Sequence, residues 1–196
     1  MKHRYSQLND ENLARIAAND DRAAFDEIVR RYCRPLAEFA ASRTVTFQDA
    51  EDITQDTFLR AYLNLDSYNA KYSLKNWLFT IAYRLIISAY RKKSPVRLSE
   101  HAAEYIEARN TASESENEEL WQAVQKMAAD DQTVLWLRYK QDMKPEEIAN
   151  IMKKSKAAVR IRLHRARIRL TELINKQPDK QKQWKLRDVV CMKGTD

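Results

Sequence analysis

The chain has 196 residues, of which 32% are charged and 44% hydrophobic, with a net charge of +7 and one glycine, Gly194. That length suits one ordinary domain or two small ones, and scarce glycine and proline beside abundant Ala, Leu, Ile, Arg, Lys and Glu point to an almost entirely helical protein. The basic balance suits a polyanionic partner, nucleic acid or membrane surface alike, while no apolar run approaches the roughly 20 residues of a membrane span.

Met1 to Leu8 lacks the apolar core of a signal peptide, and the distant Cys33 and Cys191 suggest no disulfide scaffold, so the expected setting is a reducing cytoplasm. Asp10 is placed to cap a short helix carrying Leu13, Ile16 and Ala17. A second helix starts near Asp20 or Asp21, with Phe25, Ile28, Val29, Tyr32, Leu36, Phe39 and Ala40 at helical spacing. Pro35 falls inside this run and predicts a kink or break. Cys33, beside the stripe, reads as a small core residue rather than a reactive thiol.

Thr46 to Asp49 has capping-box spacing with aspartate in the glutamate position. The helix that follows turns Ala50, Ile53, Thr57, Phe58, Ala61 and Leu65 toward a core, with Asp49, Glu51, Asp52, Gln55 and Asp56 in its first two turns. The helix dipole alone accounts for Asp49. With no histidine or cysteine nearby, a metal site is not expected. Asp52, Gln55 and Asp56, on adjacent turns beyond the cap, also fit a docking face for a basic partner, and spacing does not choose between dipole and docking.

Residues 65–73 break the pattern as a loop. Leu74, Trp77, Leu78, Ile81, Ala82, Leu85 and Ala89 then give an amphipathic helix whose other face carries Lys75, Asn76, Thr80, Tyr83, Arg84, Ser88, Arg91 and Lys92. Aromatics beside amides and cations suit single-stranded DNA, where bases stack on rings and phosphates meet Lys or Arg. Trp77 reads as core, whereas Tyr68, Tyr72 and Tyr83 stay open between stacking and packing.

Ser94-Pro95 ends this helix. Up to about Glu114 no apolar stripe holds, and Glu100, Glu104 and Glu107 lead into an acidic, solvated stretch read as a tether. Leu120, Trp121, Val124 and Met127, then Val134, Leu135, Leu137 and Tyr139, begin a small four-helix domain reaching about Asn175. Its last two helices carry most of the information. Pro145 suits a helical first turn, Glu146 and Glu147 favour the positive helix end, and Ser155 is placed to cap the final helix. There Val159, Leu163, Ala166 and Leu170 form one stripe, and Lys156, Arg160, Arg162, His164, Arg165, Arg167 and Arg169 fill most of the rest. A helix–turn–helix with a cationic second helix fits the DNA major groove, its N-terminal residues aimed at base edges. A solvated basic face is the alternative. The basic tail holds Trp184, Leu186, Val189 and Val190 as anchors of short helix.

Four segments together resemble one family. Asp49-Ala-Glu-Asp-Ile-Thr-Gln-Asp-Thr-Phe-Leu-Arg-Ala-Tyr, Trp77-Leu-Phe-Thr-Ile-Ala-Tyr-Arg, Glu146-Glu-Ile-Ala and Val159-Arg-Ile-Arg-Leu-His-Arg-Ala-Arg resemble, in this order, segments of bacterial sigma factors of the extracytoplasmic-function (ECF) group. The likeness runs from about Phe25 to Leu173, sparing the linker. It implies an all-α chain of two small helical domains joined by a flexible linker: region 2 over residues 1–93, linker 94–113, a region 4 with helix–turn–helix over 114–176, and a tail 177–196 without a match. Asp49, Asp52, Gln55 and Asp56 correspond to the helix that docks on the clamp of the polymerase large subunit. Tyr68, Asn69, Lys71 and Ser73 match the loop that captures an unstacked −10 base, followed by Lys75, Asn76, Tyr83, Arg84, Arg91 and Lys92. Ser155, Lys156, Ala157, Arg160, Ile161, Arg162, His164 and Arg165 match the −35 recognition helix.

The departures are local. The family often has asparagine where Arg84 stands and aspartate where Ser88 stands. Glycine usually occupies the turn position of Lys153, where a left-handed residue is wanted and lysine should cost about 1 kcal/mol. The resulting expectation is an alternative sigma factor without catalysis or cofactor, whose partners are core RNA polymerase, promoter DNA and an anti-sigma factor. A stand-alone helix–turn–helix regulator is the runner-up. A nuclease has no support, because His3, His101 and His164 lie in separate segments with no acid–histidine or cysteine–histidine cluster.

Overall fold

The computed structural model describes residues 5–44, 46–92 and 115–175, and every regular element among them is helical. The stretch read as a tether, 94–113, and the tail 177–196 lie outside the described residues. Helix α1 (Asp10–Ala17) is capped by Asn9, whose side chain accepts the Asn12 N–H at 2.9 Å. Asp10, expected as the cap, is instead the first helical residue, and its carboxylate accepts from Arg31 at 2.9 Å and from the Tyr32 hydroxyl. Helix α2 (Arg22–Ala41) is capped by Asp21, which accepts the Ala24 N–H at 3.0 Å.

α2 runs through Pro35 without the expected break. Tyr32, Leu36, Phe39 and Ala40 are all buried around it, so tertiary packing holds the turn that the proline weakens. Cys33 is exposed rather than core, because one step beyond Tyr32 turns it off the buried stripe. Helix α3 (Phe47–Leu63) starts at Thr46, whose hydroxyl accepts the Asp49 N–H at 3.1 Å. A 3-10 turn, Leu65–Ser67, leads to helix α4 (Leu74–Lys92).

The C-terminal helices are α5 (Ser115–Gln125), α6 (Ala129–Leu135), α7 (Pro145–Met152) and α8 (Lys156–Asn175). α6 continues into a wider π turn over Trp136–Lys140, where the Gln141 N–H reaches back five residues to the Trp136 carbonyl at 3.3 Å. α2 packs on α1 and α3, α3 on α4, and α8 on α5, α6 and α7. α4 also packs on α7, so the buried side chains of the two halves form one continuous cluster.

That double coverage rotates the buried face of α4. Leu74, Leu78, Phe79, Ala82, Leu85 and Ile86 are buried, whereas Trp77, Ile81 and Ala89 are only partly so. Periodicity predicts a single stripe for a helix covered on one side; α4 is covered on two.

Polar bonds cross the seam between the halves. Lys75 Nζ donates to the Gln141 carbonyl at 2.6 Å, Asn76 Nδ2 to the Glu147 carbonyl at 3.2 Å, and Ser73 Oγ to Glu147 Oε1 at 3.3 Å. Arg43, just past the end of α2, is 3% exposed and donates through Nε to Thr133 Oγ1 at 3.1 Å. Its guanidinium lies 4.4 Å from the Phe39 ring centroid and 5.9 Å from that of Trp136.

A second polar network ties α1 to α2. Glu27, buried, accepts from Arg30 at 2.6 and 2.7 Å and from Arg31 at 2.8 Å, and Arg31 also reaches Asp10. Hydrogen bonds from Arg30 and Arg31 lower the Glu27 carboxyl pKa from 4.5 to about 2. A depressed carboxyl pKa stabilises the fold above the unfolded value and stops doing so as pH falls through the folded one. Thermal unfolding followed from pH 6 downward is therefore expected to lose a component between about 4.5 and 2 in the parent chain. Glu27→Gln should lack that component and be less stable at neutral pH; an unchanged profile would remove Glu27 from the account.

Candidate nucleic-acid interface

The C-terminal helix pair is set by its turn. α7 begins with Pro145, and the Lys144 N–H donates to Glu147 Oε2 at 2.8 Å. It ends at Lys153, whose φ of 51° and ψ of 47° are left-handed. The Lys154 N–H reaches the Ala149 carbonyl at 3.0 Å and the Lys153 N–H the Asn150 carbonyl at 3.4 Å, the bond pair of a Schellman end. Ser155 then caps α8 by accepting the Ala158 N–H at 3.1 Å. Two helix ends are thus satisfied within three residues.

Val159, Leu163, Ala166 and Leu170 are buried on α8, which fixes its rotation. The same rotation exposes Ser155, Lys156, Ala157, Arg160, Ile161, His164 and Arg165, and Ile161 is 52% exposed. Arg162 goes elsewhere: it bonds Asp131 at 3.1 Å and approaches Asp130 at 3.4 Å. Arg169 meets the same Asp131, which is 1% exposed. Arg162, expected on the DNA face, is instead engaged as counter-ion to the buried carboxylate that α6 presents beneath it, with its side chain still 40% exposed. Lys156 pairs with Glu146 at the surface and holds that carboxyl below its usual range. Exposed pairs of this kind contribute little to stability.

The loop and helix of the N-terminal half form a second candidate surface. The Tyr68 ring tilts against Trp77 at 5.4 Å between centroids, and its hydroxyl donates to the Tyr72 carbonyl at 2.7 Å. Burial raises the Tyr68 pKa to about 12, so it stays a neutral donor. Asn69 Oδ1 accepts the Lys71 N–H at 3.0 Å, closing a small side-chain turn. Tyr72 is 53% exposed, and Lys71, Arg84 and Arg91 are also exposed. Tyr83 is half-buried, and the Lys92 side chain lies outside the described residues.

Ser73, Lys75 and Asn76 depart from the expected open face. All three bond α7 or the turn before it, and Asn76 is 4% exposed. Burial pulls the Lys75 pKa down. The physical reason is that α4 packs against α7 along the side that its sequence pattern assigns to solvent.

The third surface is the outer side of α3, where Asp52, Gln55 and Asp56 are exposed and Asp49 is partly so. Leu59 and Leu63, 56% and 69% exposed, extend it along the next turns. The apolar neighbours were missed by a reading centred on charge, although Asp52, Asp56, Leu59 and Leu63 follow one another at four-, three- and four-residue steps on one face. Arg43, Thr133 and Asp131 were likewise not singled out, and Glu147 was read only as a helix-start acid. Among the described residues, no group of histidine, cysteine or acidic side chains is placed to hold a metal, and no helix is long and apolar enough to cross a membrane.

Two helical units, one carrying an exposed acidic and apolar strip and the other a cationic helix–turn–helix, define a class of DNA-binding transcription factor. Comparison with known proteins narrows it. Sigma-70 region 2 matches residues 28–96 and sigma-70 region 4 matches residues 117–170. The chain is 30% identical to RNA polymerase sigma factor YlaC of Bacillus subtilis, over 82% of this chain and 98% of the relative. It is 31% identical to the ECF RNA polymerase sigma factor SigM of the same organism, over 77% and 95% respectively. Among solved structures, CnrH in complex with the cytosolic domain of CnrY matches with a TM-score of 0.67 and 28% identity, over 86% of this chain and 98% of that one. The sigma factor RpoE of Bartonella quintana, in complex with the anti-sigma factor NepR, matches with a TM-score of 0.60 and 26% identity, over 78% and 98%. The chain belongs to the sigma-70 family of RNA polymerase sigma factors, within the ECF group. It is an alternative sigma factor, a protein of transcription initiation.

The turn geometry gives a direct test. Lys153→Gly removes the left-handed penalty and should raise stability to urea by about 1 kcal/mol. A midpoint that does not rise would mean that the lysine side chain makes a compensating contact.

Proposed function

We propose that the chain acts on DNA and polymerase through three separate surfaces of its own. The division is residues 1–93 for core polymerase and the −10 element, 94–113 as linker and 114–176 for the −35 element. The observation that carries this reading is the rotation of α8: its apolar stripe is buried and the N-terminal residues Ser155, Lys156, Ala157, Arg160, Ile161, His164 and Arg165 are left facing outward. Duplex reading by such a helix combines phosphate contacts that position with side chains at base edges that specify. Arg162 is assigned to the Asp131 clamp, where it orients α8 rather than reading DNA.

The −10 reading rests on the exposed Tyr72 and Lys71 beside Tyr68, Asn69, Tyr83, Arg84 and Arg91. Strand opening needs no catalysis by the chain. Flipping a base costs a few kcal/mol, offset by stacking and phosphate contacts. Core docking is assigned to Asp52, Gln55 and Asp56 with Asp49, and Leu59 and Leu63 supply the apolar area that an acidic strip alone lacks. An anti-sigma factor in the same cytoplasmic compartment is the regulatory partner; RpoE, a structural relative, is bound to one in its own structure.

Two measurements test the assignments. Asp52→Ala with Asp56→Ala should weaken binding to core RNA polymerase roughly tenfold or more, a loss of about 1.4 kcal/mol, with helical circular dichroism unchanged. Unchanged affinity would move the docking site elsewhere. Arg160→Ala should weaken transcription from one −35 sequence more than from its single-base variants, by about 1–3 kcal/mol if it reads a base. Equal loss on every variant would make it a phosphate contact.

A further inference from the structure

We propose that Ala157 and Ile161 form a methyl-reading notch on α8, which recognises the C5-methyl group of a pyrimidine in duplex DNA, thymine or 5-methylcytosine. The proposal rests on the −35 assignment above and names the chemical group read there. The buried stripe fixes where the notch points. Ile161 stands two residues from both Val159 and Leu163, about 200° round the helix from each, so burying those two turns Ile161 outward. It is 52% exposed, and Ala157, one turn before it, is exposed as well. Ala158 is equally short and also exposed. The isoleucine therefore projects past both alanines toward anything that approaches this face.

The chemistry of the notch selects its ligand. Lys156, Arg160, His164 and Arg165 surround it and are exposed, so cations are in place for phosphates and purine edges. Isoleucine has no donor or acceptor to offer. Set against a guanine or cytosine edge in the major groove, it would strip water from polar atoms and return no hydrogen bond. The group in that groove that it does fit is the methyl of thymine. 5-Methylcytosine carries the same group on the same ring carbon, and an apolar side chain does not distinguish the two. The notch thus has two effects. It sets a base preference in an unmodified promoter, and it makes a promoter with cytosine at that step responsive to methylation. Ile168, 47% exposed, is seven residues and about two turns further on. Readout belongs to the N-terminal residues of such a helix, so Ile168 lies outside the notch.

The test uses holoenzyme reconstituted from the full chain and core RNA polymerase. A promoter is selected with it from fragmented genomic DNA. Copies are then made in which each −35 thymine in turn is replaced by uracil, which removes the methyl group and nothing else. One replacement should weaken binding about fourfold, or about 0.8 kcal/mol, the contribution of one buried methyl-sized group. Cytosine at that position should bind more weakly than thymine, and 5-methylcytosine should bind about fourfold more tightly than cytosine. Ile161→Ala should bind the thymine and uracil promoters equally, whereas Ile161→Val, which keeps a branched apolar end, should retain the difference. Both variants are checked for unchanged helical circular dichroism, and the uracil scan of the parent chain needs neither. The notch is overturned if every uracil replacement is neutral, or if the methyl effect persists in Ile161→Ala. An equal loss on the thymine and uracil promoters in Ile161→Ala also overturns it, since the side chain then contacts something other than the methyl. Randomising the whole −35 element separates the two readings. Unchanged binding would remove the −35 assignment and the notch together, whereas weaker binding with every uracil replacement neutral removes the notch alone.

Discussion

Helix α4 has two neighbours to satisfy, and most of the architecture follows from that. One side closes the core formed with α2 and α3; another meets α7 of the C-terminal half. A helix covered from two directions cannot keep a clean apolar stripe, so Phe79 and Ile86 are buried while Asn76 is drawn in with them. An asparagine in that position is tolerated because its amide finds the Glu147 carbonyl. The same helix therefore supplies hydrophobic closure to one half and hydrogen bonds to the other. The contact between the halves is mixed, as expected of surfaces that also meet water.

Charge is sorted with a similar division of labour. Glu27 gathers Arg30 and Arg31, and Asp131 gathers Arg162 and Arg169. These carboxylates neutralise cations that stay partly exposed, and leave the others without an internal acid. The overall charge of +7 thus overstates what is available at any one face, and the useful quantity is which arginines remain without an internal acid.

Much of the fold was legible in the sequence. Thr46, Pro145 and Ser155 mark helix starts because each offers a local solution to an orphan backbone group, and the four apolar positions of α8 appear at their helical spacing. Lys153 was expected to be left-handed because the family that the chain resembles places glycine at that turn, and its φ of 51° is left-handed. What was not legible depends on partners distant in the chain. Asn9 and Asp10 compete for one cap, and Asp10 loses because Arg31 and Tyr32 claim its carboxylate. Pro35 predicts a break only if nothing packs around it. Arg162 looks like its cationic neighbours until α6 is brought beneath it, and Ser73, Lys75 and Asn76 look solvent-facing until α7 is in place.

Asp131 has one more consequence. Its carboxylate grips α8 at two points seven residues apart, about two turns, so it acts as a torsional stop on that helix. Rolling α8 about its axis to present different side chains would break both ion pairs and strand a buried charge. The angular setting of the outward-facing residues is therefore enforced by an acid with almost no exposed surface of its own. Exchanging Arg160 or His164 alters which chemical groups are displayed without altering the direction in which they point, so binding preference and helix orientation can vary independently.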